Sequence, residues 1–202
     1  MILSINAENP QPRLINRVTE CLRQGGVIIY PTDTTYGIGC DIFNRKGVKK
    51  IFQIKQRDAR KPFSFICFDL AEISNYAQVS NFAFKIMKRH LPGPYTFVLE
   101  ATKIVPDSLS TKQKTVGVRI PNNPICQAIV RELGHPLVTT SANISGEETP
   151  QDPMAIEEKM GRMVDMVIDG GIAMSEASTV ISLLNDEIEI LRQGSGDTSW
   201  IE

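Results

Sequence analysis

Histidine is nearly absent from this chain of 202 residues: there are two, His90 and His135. So thin a supply of imidazole excludes an enzyme that relies on extensive histidine acid–base chemistry. His90 falls at a helix end and His135 in the Gly134-His135-Pro136 turn, and both read as structural. Cysteine is scarce as well. Cys21, Cys40, Cys67 and Cys126 stand singly, with no CxxC pair and no neighbouring histidine, which argues against zinc. Three of them lie in apolar surroundings and read as reduced core residues; Cys40, in the loop after Gly37-Ile38-Gly39, has room to be more exposed, yet it too reads as structural. No GxxxxGK[ST] loop, HExxH or DxD pair occurs, so neither a P-loop nor a familiar metallohydrolase is encoded. Long apolar runs are missing too. Val27–Tyr30 is typical, against the ~20 residues that a membrane-spanning helix needs. The start, Met1 to Asn6, has no basic segment leading into an apolar one and is not a signal peptide. The expected setting is cytoplasmic, with no membrane role.

What is present suits one domain over residues 1–202. Hydrophobic residues make up 42% and charged residues 22%, enough apolar material for a true core. Strand-like and helix-like runs alternate. The runs at 2–5, 27–30, 64–68, 96–101, 116–120, 137–140, 164–168, 179–183 and 188–191 read as strands by their β-branched and aromatic content. Apolar residues three and four apart predict helices over 12–24, 45–56, 70–77, 80–90, 124–133 and 153–162. Several strands follow one another with no helix between, which requires antiparallel pairing, and the last two read as a hairpin. The expected fold is α/β: a mixed, twisted sheet flanked by helices.

Net charge is −1, but residues 1–146 carry 19 basic and 10 acidic side chains while residues 147–202 carry 3 and 13. Arg45, Lys46, Lys49, Lys50, Lys55, Arg57, Arg60 and Lys61 crowd together against one acid, Asp58. Such a concentration suits phosphate, of a nucleotide or a nucleic acid, and equally suits a solvated helix face. Polar clusters follow strand ends at Thr32–Gly39 and Ser141–Gly146, where α/β sheets place ligands. With cations, hydroxyls and amides in place of histidines, the inventory suits holding a phosphoryl donor and neutralising its charge.

Seven motifs in order, Pro31-Thr32-Asp33-Thr34-Thr35-Tyr36-Gly37, Lys55-Gln56-Arg57, Pro92-Gly93-Pro94-Tyr95-Thr96, Gly117-Val118-Arg119-Ile120-Pro121, Thr140-Ser141-Ala142-Asn143, Ser178-Thr179 and Arg192-Gln193-Gly194, resemble the YrdC-like family of threonylcarbamoyl-AMP synthases over nearly the whole chain. The family's KxR and SxN signatures correspond to Lys55/Arg57 and Ser141/Asn143. The resemblance implies a YrdC-like fold with a concave basic cavity holding ATP, with Mg2+, beside L-threonine. A carbamate formed from threonine and bicarbonate would attack the α-phosphorus of ATP, and the product would pass to a separate transferase acting on tRNA. Carried over residue by residue, Lys55 and Arg57 are catalytic phosphate ligands. Thr32, Tyr36, Arg119 and Ser178 would hold threonine, with Arg119 facing its carboxylate. Thr115, Ser141, Asn143 and Arg192 would hold the nucleotide, and no protein metal site is expected.

This chain departs from the family pattern in having Asp58 where proline is common and Ile66 where histidine is common; around Lys61–Cys67 it looks closest to the YciO-like branch. Longer relatives add a C-terminal domain. Two rival readings exist. One is a non-catalytic module binding RNA, double-stranded RNA included, or the ribosome through Lys46, Lys49 and Lys50. The other is a sugar-phosphate enzyme such as a dihydroxybutanone-phosphate synthase, which needs acidic metal ligands where the Thr32–Gly39 loop offers only Asp33.

Overall fold

A computed structural model describes residues 1–56, 63–106, 109 and 113–201. Ten strands form one sheet: β1 (Ile2–Ser4), β2 (Ile28–Tyr30), β3 (Gly37–Asp41), β4 (Ser64–Ile66), β5 (Tyr95–Glu100), β6 (Thr115–Arg119), β7 (Leu137–Ser141), β8 (Met166–Asp169), β9 (Thr179–Ser182) and β10 (Glu189–Arg192). Their spatial order is β1-β8-β2-β3-β7-β4-β6-β5-β9-β10. The pairs β1/β8, β2/β8, β4/β6 and β5/β9 are parallel and the remaining pairs antiparallel, the mixed sheet expected. Among the described residues six helices flank it: α1 (Pro12–Arg23), α2 (Arg45–Lys55), α3 (Leu70–Tyr76), α4 (Asn81–His90), α5 (Pro124–Leu133) and α6 (Pro153–Met160). Asn44, Asp69, Ser80, Asn123 and Asp152 each cap a helix start by accepting a backbone N–H.

Sequence reading missed one strand, β3. Its Gly37-Ile38-Gly39 start looks like a turn, yet both glycines are there for space. A Cβ at Gly39 would run into the Val138 carbonyl and the Tyr30 ring, and one at Gly37 would press on Tyr30 and Thr139 at 3.2 Å. Cys40 lies on this strand rather than in a loop; it is fully buried, in keeping with a structural role, and burial pushes its thiol up to about 12. The final hairpin forms as expected, turning through a 3-10 segment at Leu184–Asp186.

Alternation along the strands divides the sheet into two faces. On one, Cys40, Val138, Phe65, Val118, Phe97 and Ile181 are successive cross-strand partners; all are buried in the main core with residues of α2, α3, α4 and α6. On the other, α1 and α5 pack over Ile28, Tyr30, Ile66, Leu137, Met166 and Ile168. The departure at Ile66 therefore sits in this second core. Next to it the same face continues as Gly39, Thr139, Ser64, Gly117, Val98 and Ser182, again successive partners. Small and polar side chains leave that stretch hollow. Among the described residues no helix is long and apolar enough to cross a membrane.

Candidate functional site

The hollow is a cavity of about 530 Å3, large enough for two small ligands together. Its floor comes from every second residue of central strands: Thr115, Gly117 and Arg119 of β6, Thr96 and Val98 of β5, Thr139 and Ser141 of β7, and Ser64 of β4. Gly117 sets its depth, since a Cβ there would lie 2.8 Å from Ser64 Oγ and 3.2 Å from Thr96 Cγ2. The walls come from the segment after β2, the loops around Asn143 and Thr149, and Ser175, Ala177 and Ser178. Among the described residues no carboxylate, histidine or cysteine lines it, and arginine and tyrosine are the ionisable groups.

At one edge the KxR lysine meets the SxN pair. Lys55 ends α2 and is 3% exposed. Its Nζ donates to the Ser141 carbonyl at 2.6 Å and to Asn143 Oδ1 at 2.5 Å, and Ser141 Oγ donates to the same Oδ1 at 2.6 Å. The Lys55 carbonyl accepts from Ser145 N–H at 3.1 Å, so helix end and loop are joined twice. Asn143 Nδ2 also donates to the Glu147 carbonyl. Charge-assisted bonds of this kind fix an ammonium in place. Arg57, the second residue of the signature, lies outside the described residues.

At the opposite edge Arg119 is 9% exposed; its Nη2 donates to Asp33 Oδ1 and to Thr34 Oγ1, both at 3.0 Å. Its Nε is buried with no partner among the described residues. Thr32 Oγ1 donates to the Thr35 carbonyl at 2.7 Å and accepts from Thr34 N–H, a closed turn that shapes the wall. Tyr36 lines the cavity, but its hydroxyl donates to the Gly171 carbonyl at 2.7 Å and accepts from Gly170 N–H. Burial holds that phenol up at about 12, so it stays protonated. Ser178 Oγ shares a hydrogen bond with Thr96 Oγ1 at 2.9 Å. Arg192 donates to the Ser178 carbonyl through Nε at 3.1 Å and Nη2 at 2.7 Å. Burial, and then the charge of Arg119, lower the Arg192 pKa from its usual value. Two guanidinium groups that feel one another at one hollow make a favourable place for an anion.

The structure thus gathers Thr32, Tyr36, Thr115, Arg119, Ser141, Asn143, Ser178 and Arg192 around one cavity, with Lys55 bound to its rim. Sequence reasoning did not single out Ser64, Thr139, Thr149, Ser175 or Ala177. Ser64 and Thr139 carried a usable signal, being polar residues inside otherwise apolar strand runs, whereas the last three lie on loops brought in only by the fold.

The chain is similar to proteins of known structure over its full length. It superposes on the crystal structure of E. coli YciO with a TM-score of 0.94 and 42% identity, covering 98% of each chain. It matches the crystal structure of P. abyssi Sua5 complexed with L-threonine with a TM-score of 0.90 and 30% identity, over 96% of this chain and 57% of that one. A putative threonylcarbamoyl-AMP synthase of Methanocaldococcus jannaschii is 38% identical over 189 residues, 93% of this chain and 88% of the other. The family model for Sua5/YciO/YrdC, described as telomere recombination, matches residues 20–194. From its sequence and its YrdC fold alike, the chain belongs to the Sua5/YciO/YrdC family.

Proposed function

We propose that this protein makes threonylcarbamoyl-AMP and pyrophosphate from ATP, L-threonine and bicarbonate, supplying a separate transferase that threonylcarbamoylates an adenosine of tRNA. One observation carries the reading: Lys55, Ser141 and Asn143, from two distant stretches, form a single knot on the rim of a cavity whose far side holds Arg119. Relatives named as threonylcarbamoyl-AMP synthases and a Sua5 structure holding L-threonine support it.

In this reading the threonine carboxylate faces Arg119, and the nucleotide lies toward Thr115, Ser141, Asn143 and Arg192. The threonine amine takes up bicarbonate as a carbamate. The carbamate oxygen then forms a bond to the α-phosphorus as the bond to pyrophosphate breaks. That step needs alignment and neutralisation of developing charge more than a strong base, which suits a cavity lined by arginines and hydroxyls. Lys55, with Arg57 of the same signature, is assigned to the phosphates. Mg2+ is expected to arrive with ATP. The hydroxyls and amide among the described lining residues fit a Mg2+ held mostly by phosphate oxygens and water. Among the described residues no cluster of three or more His, Cys, Asp or Glu is arranged for a metal.

Incubating the protein with ATP, bicarbonate and labelled threonine tests the proposal through release of pyrophosphate and a labelled threonylcarbamoyl adenylate. Failure to form product with any amino acid would overturn it. The outward cations Arg45, Lys46 and Lys49 on α2 favour a second reading, a module that binds RNA. That reading requires affinity for RNA that falls steeply with salt and is lost when Lys46 and Lys49 are removed but retained in Lys55→Ala.

A further inference from the structure

Asp33 has no place in the cavity lining, yet it touches the residue on which amino-acid binding is expected to turn. One carboxylate oxygen accepts from Arg119 Nη2 at 3.0 Å and the other from the Asn122 N–H at 2.9 Å. Both side chains of the ion pair are largely buried, with 11% and 9% exposed. Thr34 Oγ1 accepts a second bond from the same Nη2 at 3.0 Å. That guanidinium nitrogen is therefore fully engaged by the Thr32–Tyr36 segment, which fixes how the rest of the group meets the cavity that Arg119 lines. Asp33 also ties the segment after β2 to the end of β6 through Asn122, so it fixes the guanidinium against two separate stretches of chain.

We infer that Asp33 is a positioning residue that, with Thr34, locks Arg119 so that its guanidinium, which lines the cavity, presents one fixed anion site to the amino-acid carboxylate. This deepens the proposed function and rests on it. A carboxylate is needed because its two oxygens serve two N–H donors at once. Asparagine has the same shape but supplies one oxygen and an NH2 group. That NH2 must face either the guanidinium or the Asn122 N–H, both of them donors. Releasing Arg119 to swing loses orientation at the amino-acid end alone; at the triphosphate end Lys55, Ser141 and Asn143 are bound to one another.

Calorimetric titration of the full chain with L-threonine, and separately with ATP, tests this in the wild type, Asp33→Asn, Asp33→Glu and Thr34→Val. Expected is about a tenfold rise in the threonine Kd for Asp33→Asn, or roughly 1.4 kcal/mol. Thr34→Val should show a smaller rise of about threefold, and Asp33→Glu partial recovery relative to asparagine. ATP should bind within about twofold of wild type in all three. Equal losses for threonine and ATP would mean a general structural role and overturn the inference, as would unchanged threonine affinity in both Asp33→Asn and Thr34→Val. A wild type that binds ATP but no threonine would instead overturn the proposed function, and this inference with it. Should Asp33→Asn fail to fold, Thr34→Val decides.

Discussion

The same strands build two opposite things on their two faces. Phe65, Val118 and Phe97 point one way into a core closed by helices, and their neighbours Ser64, Gly117 and Val98 point the other way into an open hollow. Backbone and pairing are common to both, so the difference lies in side-chain volume and in whether a helix covers the face. On the covered side, packing leaves no room for change. On the open side, glycine, serine and threonine hold water-accessible space while every strand remains hydrogen-bonded. A binding cavity of this kind is a part of the sheet surface left unfilled, made rigid by the core behind it.

That contrast can be broken experimentally, starting where the effect is largest. Phe97→Ala, on the core side, should cost about 3–5 kcal/mol in urea unfolding, because the vacated volume cannot collapse against a packed sheet. Gly117→Val, directly across the sheet, should cost about 1–3 kcal/mol through overpacking against Ser64 and Thr96. It should also abolish ligand binding by filling the floor, which calorimetry would reveal. Lys55→Ala or Asn143→Ala should slow adenylate formation at least tenfold, about 1.4 kcal/mol of transition-state stabilisation, as measured by pyrophosphate release. The smallest effect belongs to a pair remote from both faces. Burial raises the Asp165 pKa, but hydrogen bonds from Lys50 and Val27 N–H outweigh it and the net shift is downward. A depressed carboxylate stabilises the fold above the ordinary carboxylate range and loses that contribution as pH falls through the folded value. Asp165→Asn should therefore lower stability slightly at neutral pH and flatten the acid limb, so that the urea-unfolding profiles of variant and wild type converge below about pH 4.

Much of this architecture was legible in the chain. The strands around 27–30, 64–68, 96–101 and 116–120 announced themselves by runs of β-branched and aromatic residues, and α1 by Leu14, Val18 and Leu22 on one stripe. The hidden strand was β3, where glycines that exist to let Tyr30 and Val138 pass close looked like a turn. Strand order could not be read, since it depends on which edges meet after crossovers rather than on any local signal. At the site, Lys55, Ser141 and Asn143 were legible through their motifs, but not the bonds between them, because 86 and 88 residues of chain separate the partners. The role of Asp33 was likewise invisible: in sequence it is an acid in a threonine-rich turn, and only the fold shows that Arg119 comes to it.

The most direct measurement is a crystal structure of the protein with L-threonine and a non-hydrolysable ATP analogue. The amino acid should lie with its carboxylate on Arg119, and the triphosphate should run toward Lys55 and Asn143, both inside the hollow above Gly117. Ligands bound elsewhere, or a cavity without them at saturating concentrations, would contradict the shared site on which the proposed chemistry depends.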